Sequence, residues 1–242
     1  MSNEVHALEK SEALPSVPQA PAPWDITGNG YIVAVWMPRE VIDTNSFLPP
    51  DLAYSHCGRL ALMMFVDYHE SPCGAYKELL YIPGPLNFSS QRTRSITRCF
   101  VSTYDSVVNG RRNWGIPKDK ADFRIYYGKD GIDRVRVQHQ GHTFAELAFQ
   151  EKSPSMPFNA ALIPRFLRTF GQHWEGHEYI YTPSATGHVQ WATMLEARFD
   201  ASYFPDLSRG KVLAVIKARD FNMQFQPATI TRIPAPLPGQ IR

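Results

Sequence analysis

The chain has 242 residues, 43% hydrophobic and 20% charged, with 12% aromatic residues, 15 Gly and 20 Pro; at this length one core buries roughly 70–75% of the unfolded surface, so no disulfide staple or structural metal is needed. Lys and Arg total 25 against 23 Asp and Glu, giving +2 with no block of one sign, and a nucleic-acid partner is not expected without a clustered basic surface. The longest apolar runs, near 31–37 and 60–66, fall far short of the ~20 residues of a membrane helix, so no membrane partner is expected either.

Residues 1–22 carry Pro15, Pro18 and Pro21 among Ala, Ser and Glu, too little apolar content to offset the entropy of ordering. They read as a flexible N-terminal arm, and 23–242 as one domain. Glu4, Glu9, Lys10 and Glu12 interrupt any apolar leader, so a cytoplasmic location is expected. Cys57, Cys73 and Cys99 stand far apart without a C-x-x-C pair, which fits a reducing compartment and speaks against a thiolate metal site.

From Tyr31 onward the chain alternates in period two or runs in short apolar stretches broken by Pro and Gly, the pattern of strands. Strands are predicted at 76–82, 95–104, 123–127, 132–137, 143–149, 188–199 and 211–225. Gly128-Lys129-Asp130-Gly131 supplies left-handed-capable residues for a hairpin. In 188–199, Val189, Trp191, Thr193, Leu195, Ala197 and Phe199 share one face, opposite Gln190, Glu196 and Arg198, as in a half-buried strand. A short helix is predicted within 160–170, its start limited by Pro164. The fold class is mainly β (α+β) with few short helices, and many hairpin-joined strands favour a closed or strongly curved antiparallel sheet, because closure removes exposed edges.

Segment 109–121, Asn-Gly-Arg-Arg-Asn-Trp-Gly-Ile-Pro-Lys-Asp-Lys-Ala, reads as a polar loop between two apolar strands. Lys118 follows Pro117, so its backbone is partly fixed and its side chain can be aimed at a cavity with little local entropy loss. Forty residues earlier stands Ser71-Pro72-Cys73-Gly74-Ala75-Tyr76-Lys77-Glu78-Leu79. The pair of motifs, G-R-x-x-x-x-x-P-K-x-x-A and S-P-x-G-A-Y-x-E-L, resembles the acetoacetate decarboxylase family, and a looser likeness extends from Tyr31 to the strand ending at Phe225.

The resemblance implies a cone-like β-barrel enclosing a pocket, a homo-oligomer, and a small-molecule keto acid or carbonyl substrate. It implies that Lys118 attacks a ketone carbonyl to form an imine and that Glu78 moves protons or orients the substrate. In such a decarboxylase the protonated imine takes up the electron pair left by departing carbon dioxide; acetoacetate decarboxylase is itself the standing example of a lysine activated by desolvation or a neighbouring cation. A lysine at its ordinary pKa of about 10.4 is neutral only about once in 2,500 at pH 7. A shift to about 7 requires roughly 4–5 kcal/mol of differential solvation, which an apolar pocket must supply. Trp114, Ile116 and Phe123 are candidates for its walls, and Tyr76 and Met63 for substrate contact.

Three departures from the family pattern matter. The family has a second lysine after the nucleophile, where this chain has Asp119; in an extended segment Asp119 turns away and Lys120 shares the face of Lys118, which makes Lys120 a candidate cationic neighbour. The family's carboxylate-binding arginine aligns near Asn29-Gly30, and its further pocket glutamate near Met63. Arg111, with Arg112 or Arg98, is the remaining candidate anchor. Without an anchor a larger, less polar carbonyl substrate fits better, and the alternatives are a non-decarboxylating aldolase, dehydratase or cyclase, or a non-catalytic ligand-binding barrel. His173 and His177 have the spacing of two ligands on a helix, but Gly171, Trp174 and Gly176 argue against a helix there, and no metal site is expected. Neither a G-x-S-x-G elbow nor a nucleotide loop is present, and no cofactor is expected.

Overall fold

The computed structural model describes residues 14–52 and 58–234; residues 1–13 of the predicted arm and Cys57 lie outside the described residues. Ten strands form one hydrogen-bonded path. These are β1 (Trp24–Trp36), β2 (Leu60–Glu70), β3 (Tyr76–Ile82), β6 (Arg98–Val101), β7 (Lys118–Lys120), β8 (Asp122–Tyr127), β9 (Ile132–His139), β10 (His142–Glu151), β14 (Ser184–Phe199) and β15 (Lys211–Phe225). Their order is β7-β6-β3-β2-β1-β15-β14-β10-β9-β8, with β11 (Met156–Asn159) paired to β14 as the eleventh strand. A small sheet joins β12 (Phe170–Trp174), β13 (His177–Tyr181) and β16 (Thr229–Arg232), while β4 (Leu86–Asn87) and β5 (Arg92–Thr93) form a short ribbon. Among the described residues no helix is long and apolar enough to cross a membrane.

The expectation of a closed, wholly antiparallel barrel needs correction. No ladder joins β7 to β8, the two ends of the path, and β6 pairs with β7 in parallel. The ends meet through the chain instead: Ala121 alone separates β7 from β8, and His139 Nδ1 lies 3.0 Å from the Lys120 carbonyl oxygen. The sheet curls over a core of Val33, Met63, Phe65, Phe100, Phe144 and Phe149. Across that core, Lys217 of β15 reaches Asp133 of β9 (2.8 Å) and Glu151 of β10 (2.5 Å), and the Tyr31 hydroxyl donates to Asp133 (2.7 Å). The buried charges of Lys217 and Asp133 are acceptable only because they are paired and hydrogen-bonded.

Two local expectations also change. Segment 104–114, predicted as strand end and loop, is the helix α2 (Tyr104–Trp114); α1 (Arg39–Asn45) precedes it. A parallel β6–β7 pair demands a crossover, and α2 supplies it. Thr103 caps it, its hydroxyl accepting from the Ser106 amide, and Gly115 ends it at φ 64°, a left-handed conformation that suits glycine. In β14 the predicted burial is reversed at Gln190, which is buried, and at Trp191 and Leu195, which are exposed. A register shift between Ala148 and Phe149 in the β10–β14 ladder breaks the simple alternation, as bulges do. The hairpin at 128–131 forms as expected, with the Gly128 amide bonded to Ile132 O and Gly131 at φ 74°. The helix predicted within 160–170 is a 3-10 turn, Ala160–Leu162, and one turn of α3 (Arg165–Arg168) starting after Pro164.

The sheet is apolar on both sides. Its outer face at β3, β6 and the start of β1 is covered by α2, the small sheet and residues 18–22, over Trp24, Ile26, Leu80, Cys99 and Trp114. Where proline-rich composition predicts a free arm, Asn109 of α2 accepts from the Ala20 amide (2.8 Å) and donates to Pro18 O (3.0 Å), and Asn113 donates to Ala20 O (2.8 Å).

Candidate active site

The S-P-x-G run is a tight turn: the Ser71 hydroxyl donates to Gly74 O (2.6 Å) and accepts from the Cys73 amide (3.2 Å), and Gly74 takes φ 83°. It launches β3 with Tyr76 and Glu78 on the outer face. Lys118 opens β7, opposite Cys99 in the parallel ladder. Its side chain runs along the outer face toward β3, where Nζ stands 2.7 Å from Glu78 Oε2 and 3.1 Å from the Ser106 hydroxyl of α2. The amine also lies 4.9 Å from the centre of the Tyr76 ring, and the Tyr68 hydroxyl donates to Glu78 Oε1 at 3.3 Å. Lys118 and Glu78 are 3% and 4% exposed. Trp114 and Ile116 belong to the same apolar cluster.

Several expected participants are placed elsewhere. The nucleophile candidate sits beneath α2 on the outside of the curl, not in the interior, and Met63 is buried on the opposite face of the sheet among the inner core. Asp119 does turn away from Lys118, and it is held there by two arginines: the buried Arg98, and Arg111 at 2.7 Å. Arg111 also donates to Lys118 O (2.9 Å) and lies 5.0 Å from the Trp174 ring, so it braces β7 and does not reach the lysine amine. Arg112 is exposed. Lys120 bonds to Asp122 (2.9 Å) and to Ala121 O (3.1 Å) and is not the cationic neighbour of Lys118. At the position expected to hold a substrate-binding arginine, Asn29 is used within the sheet, accepting from the Asp220 amide at 2.8 Å. Next to it, a Cβ on Gly30 would stand 2.7 Å from Phe65 O, so no longer side chain fits. His173 and His177 lie on two strands of one hairpin, and His173 contacts Asp51 and Glu178. A cleft of about 280 Å³ runs along the other side of α2, lined by Tyr104, Val107, Arg111, Asp119, Lys120 and His139 among others.

The charge state of Lys118 is the largest correction. Burial is the strongest single influence and favours the neutral amine. The Glu78 charge comes next, then Tyr76, Cys99 and the Glu78 hydrogen bond, and together they outweigh burial and hold the ammonium well above the ordinary lysine range. The expected downward shift is therefore absent in this state: a carboxylate beside a desolvated amine favours the charged form that burial alone would disfavour. Burial likewise pushes the Cys99 thiol and the Tyr76 and Tyr181 hydroxyls up, so the surroundings of the pair carry no further charge from these groups at neutral pH. Ser106 and Tyr68 escaped sequence reasoning because neither lies in a motif; each reaches the pair only through tertiary placement.

No family model and no curated protein matches the sequence. Among solved structures the chain is similar to the acetoacetate decarboxylase of Legionella pneumophila, at 13% identity and TM-score 0.68, over 94% of this chain and 95% of that one. It is similar to an acetoacetate decarboxylase-like enzyme from Sphingomonas wittichii, at 12% identity and TM-score 0.66, over 93% and 98%. The enduracididine biosynthesis enzyme MppR complexed with pyruvate follows at 13% identity and TM-score 0.59, over 89% and 92%. Likeness of this extent at such low identity is a likeness of architecture, and the chain has the acetoacetate decarboxylase-like fold.

Proposed function

We propose that the protein is an acetoacetate decarboxylase-like carbon–carbon lyase that forms an imine between Lys118 and a β-keto acid or related ketone, working in the cytoplasm as a homo-oligomer. The observation that carries this reading is the Lys118–Glu78 contact at 2.7 Å, both groups buried, with Ser106 as third partner. A buried lysine and carboxylate can exchange one proton at little cost in charge separation, since the transfer converts an ion pair into a neutral pair in a medium that disfavours both ions. Glu78 takes the proton from the ammonium as the carbonyl carbon approaches; the freed amine adds to it, giving a carbinolamine. Glu78 then returns its proton to the departing hydroxyl, water leaves, and a protonated imine remains beside a carboxylate. That iminium accepts the electron pair of a breaking carbon–carbon bond, carbon dioxide departs, and protonation of the enamine completes the step. Ser106 orients the amine, and Tyr68 holds the second oxygen of Glu78.

A second reading is favoured by one observation. The arginines expected to anchor a substrate carboxylate are placed elsewhere: Arg98 and Arg111 are committed to Asp119, and Arg112 is exposed. An uncharged or larger carbonyl compound suits this site better than a small β-keto acid, and aldol cleavage, dehydration or cyclisation through the same imine then replaces decarboxylation.

Borohydride added with a panel of keto acids and ketones tests both readings. The expected result is a reduced adduct on the peptide carrying Lys118, with carbon dioxide release separating the decarboxylase from the alternatives. Ligand binding that persists in Lys118→Ala, with no adduct from any carbonyl compound, would identify a passive binding fold and overturn the enzyme reading.

A further inference from the structure

A cation withdrawn from water is tolerated where a counter-ion or hydrogen bonds replace its hydration. Among the described residues, every buried or half-buried lysine and arginine but one meets that condition. Arg98, Lys118 and Lys217 each stand against a carboxylate, and the half-buried ones are paired with carboxylates or donate to backbone carbonyls. The exception is Arg94. It is half-buried, and its Nη1 is closed off from solvent without a hydrogen-bond partner. Burial alone acts on its charge and pulls its pKa down.

Arg94 directly follows β5 and pairs in parallel with Phe170 of β12, its carbonyl accepting from the Gly171 amide at 2.9 Å. Thr93 turns inward, its hydroxyl donating to Thr169 O, so in this extended stretch Arg92 and Arg94 share the opposite face. Arg92 is exposed. The acidic groups gathered at the small sheet are engaged: Glu178 accepts from Ser89 and Ser90, and Asp51 contacts His173. Phe170 in turn stacks on Tyr181 at 5.8 Å, and Tyr181 lies 6.5 Å from the ring of Trp114, at the end of the helix over Lys118.

We infer that Arg94, with Arg92 on the same face, is the seat of an anionic ligand group, a carboxylate or a phosphate, at the joint between the β4–β5 ribbon and the small sheet. A guanidinium presents its donors in a fixed planar fork that two oxygens of one such group accept together. The ligand supplies the counter-charge that the chain withholds, and Arg92 adds a second cation. Because Arg94 is half-buried and Arg92 exposed, a small molecule reaches the pair from outside. Two sources offer this chemistry: the acidic end of the carbonyl compound proposed to react at Lys118, or a separate small acid. Anion binding at Arg94 stands independently of imine formation, and only the first source rests on the proposed reaction.

Thermal unfolding of the full chain at constant ionic strength, followed by circular dichroism, tests the site with inorganic phosphate and with levulinate, against sodium chloride and the uncharged ketone 2-butanone. Phosphate or levulinate at about 10 mM is expected to raise the midpoint by at least about 3 °C. In Arg94→Met the midpoint without added anion is expected at or above that of the wild type, because an unpaired desolvated charge has been removed, and the response to anion is expected to vanish. Arg92→Met, which leaves the interior untouched, is expected to weaken anion binding roughly threefold and stands in if Arg94→Met fails to fold. A wild type that responds to neither anion beyond chloride, or a response that survives both substitutions, would overturn the site. Borohydride trapping then identifies the source. If the reacting compound is held by its own carboxylate, Arg94→Met lowers the Lys118 adduct from levulinate roughly tenfold and leaves that from 2-butanone unchanged. If the levulinate adduct is unchanged while the thermal response is lost, the anion is a separate ligand. The absence of any adduct from any carbonyl compound overturns the enzyme reading and leaves the thermal test of Arg94 intact.

Discussion

Gly110 and Lys118 compete for one space: a Cβ on the glycine would stand 2.6 Å from the lysine Cδ and 2.8 Å from its Cε. The helix can pass over the lysine stem only because that residue has no side chain. In an exposed helix, Gly→Ala gains about 1 kcal/mol; here Gly110→Ala is expected to spend that gain on displacing Lys118 from Glu78. The adduct yield on Lys118 should fall at least tenfold while the thermal midpoint moves by no more than about 4 °C. An unchanged yield would show that the lysine does not need this seat.

Removing one member of the buried pair leaves the other charged and alone. Lys118→Met is expected to lose about 3–5 kcal/mol of stability, and Lys118→Met combined with Glu78→Gln to recover most of it. Urea denaturation of the four proteins closes the cycle. Strict additivity would mean that the two side chains are not coupled.

Asp119 stands where the related motif has lysine, and it neutralises the buried Arg98 together with Arg111. Asp119→Lys would set three cations together, and Asp119→Asn would leave Arg98 unpaired; both are expected to lose at least about 3 kcal/mol, the lysine more than the asparagine. Circular dichroism during thermal unfolding measures the order. A stable Asp119→Lys protein with faster adduct formation would restore the idea of a cationic neighbour for Lys118.

Burial pushes the Tyr81 hydroxyl up to about 12 and raises Tyr68, Tyr76 and Tyr181 as well. Each binds its proton more tightly folded than unfolded, so its contribution is complete below the unfolded value of about 10 and is lost as pH rises through the folded one. Lys118, also raised, acts in the same direction. Stability should therefore decline from about pH 10 upward, and absorbance at 295 nm at pH 11 should count fewer tyrosinates in the native protein than in urea. Equal counts would refute the burial of these hydroxyls.

The strands were legible because the pleat imposes period two on any strand with one buried face, and β9 follows it closely. Helix α2 was not, since Val107, Val108, Asn109, Gly110 and Asn113 are poor helix formers, and the crossover between parallel strands selects the helix in spite of them. Its boundary signals, Thr103, Gly115 and Pro117, were nevertheless in the sequence. Trp191 and Leu195 read as core because their spacing carries no record of the bulge that shifts β14. Lys118 and Glu78 were both visible in motifs, and their contact follows from the fold. The misjudged quantity was the sign of their mutual effect: a lone desolvated lysine loses its proton, whereas one placed 2.7 Å from a carboxylate keeps it.

The pairing of β1 with β15 joins positions about 200 residues apart, and contacts of such separation slow folding because loop closure must precede any gain from them. The roof over Lys118 shares this delay, since Trp114 is pinned by its indole N–H to Gln226 O at 2.8 Å. During synthesis on the ribosome, a nascent chain that has reached residue 200 already contains Glu78, α2, Lys118 and one neighbour of β1, β2, but neither its other neighbour β15 nor the Gln226 carbonyl that holds Trp114. Chemical competence is thus a late acquisition, and fragments ending before Gln226 should display the motif residues without the enclosure that makes them reactive.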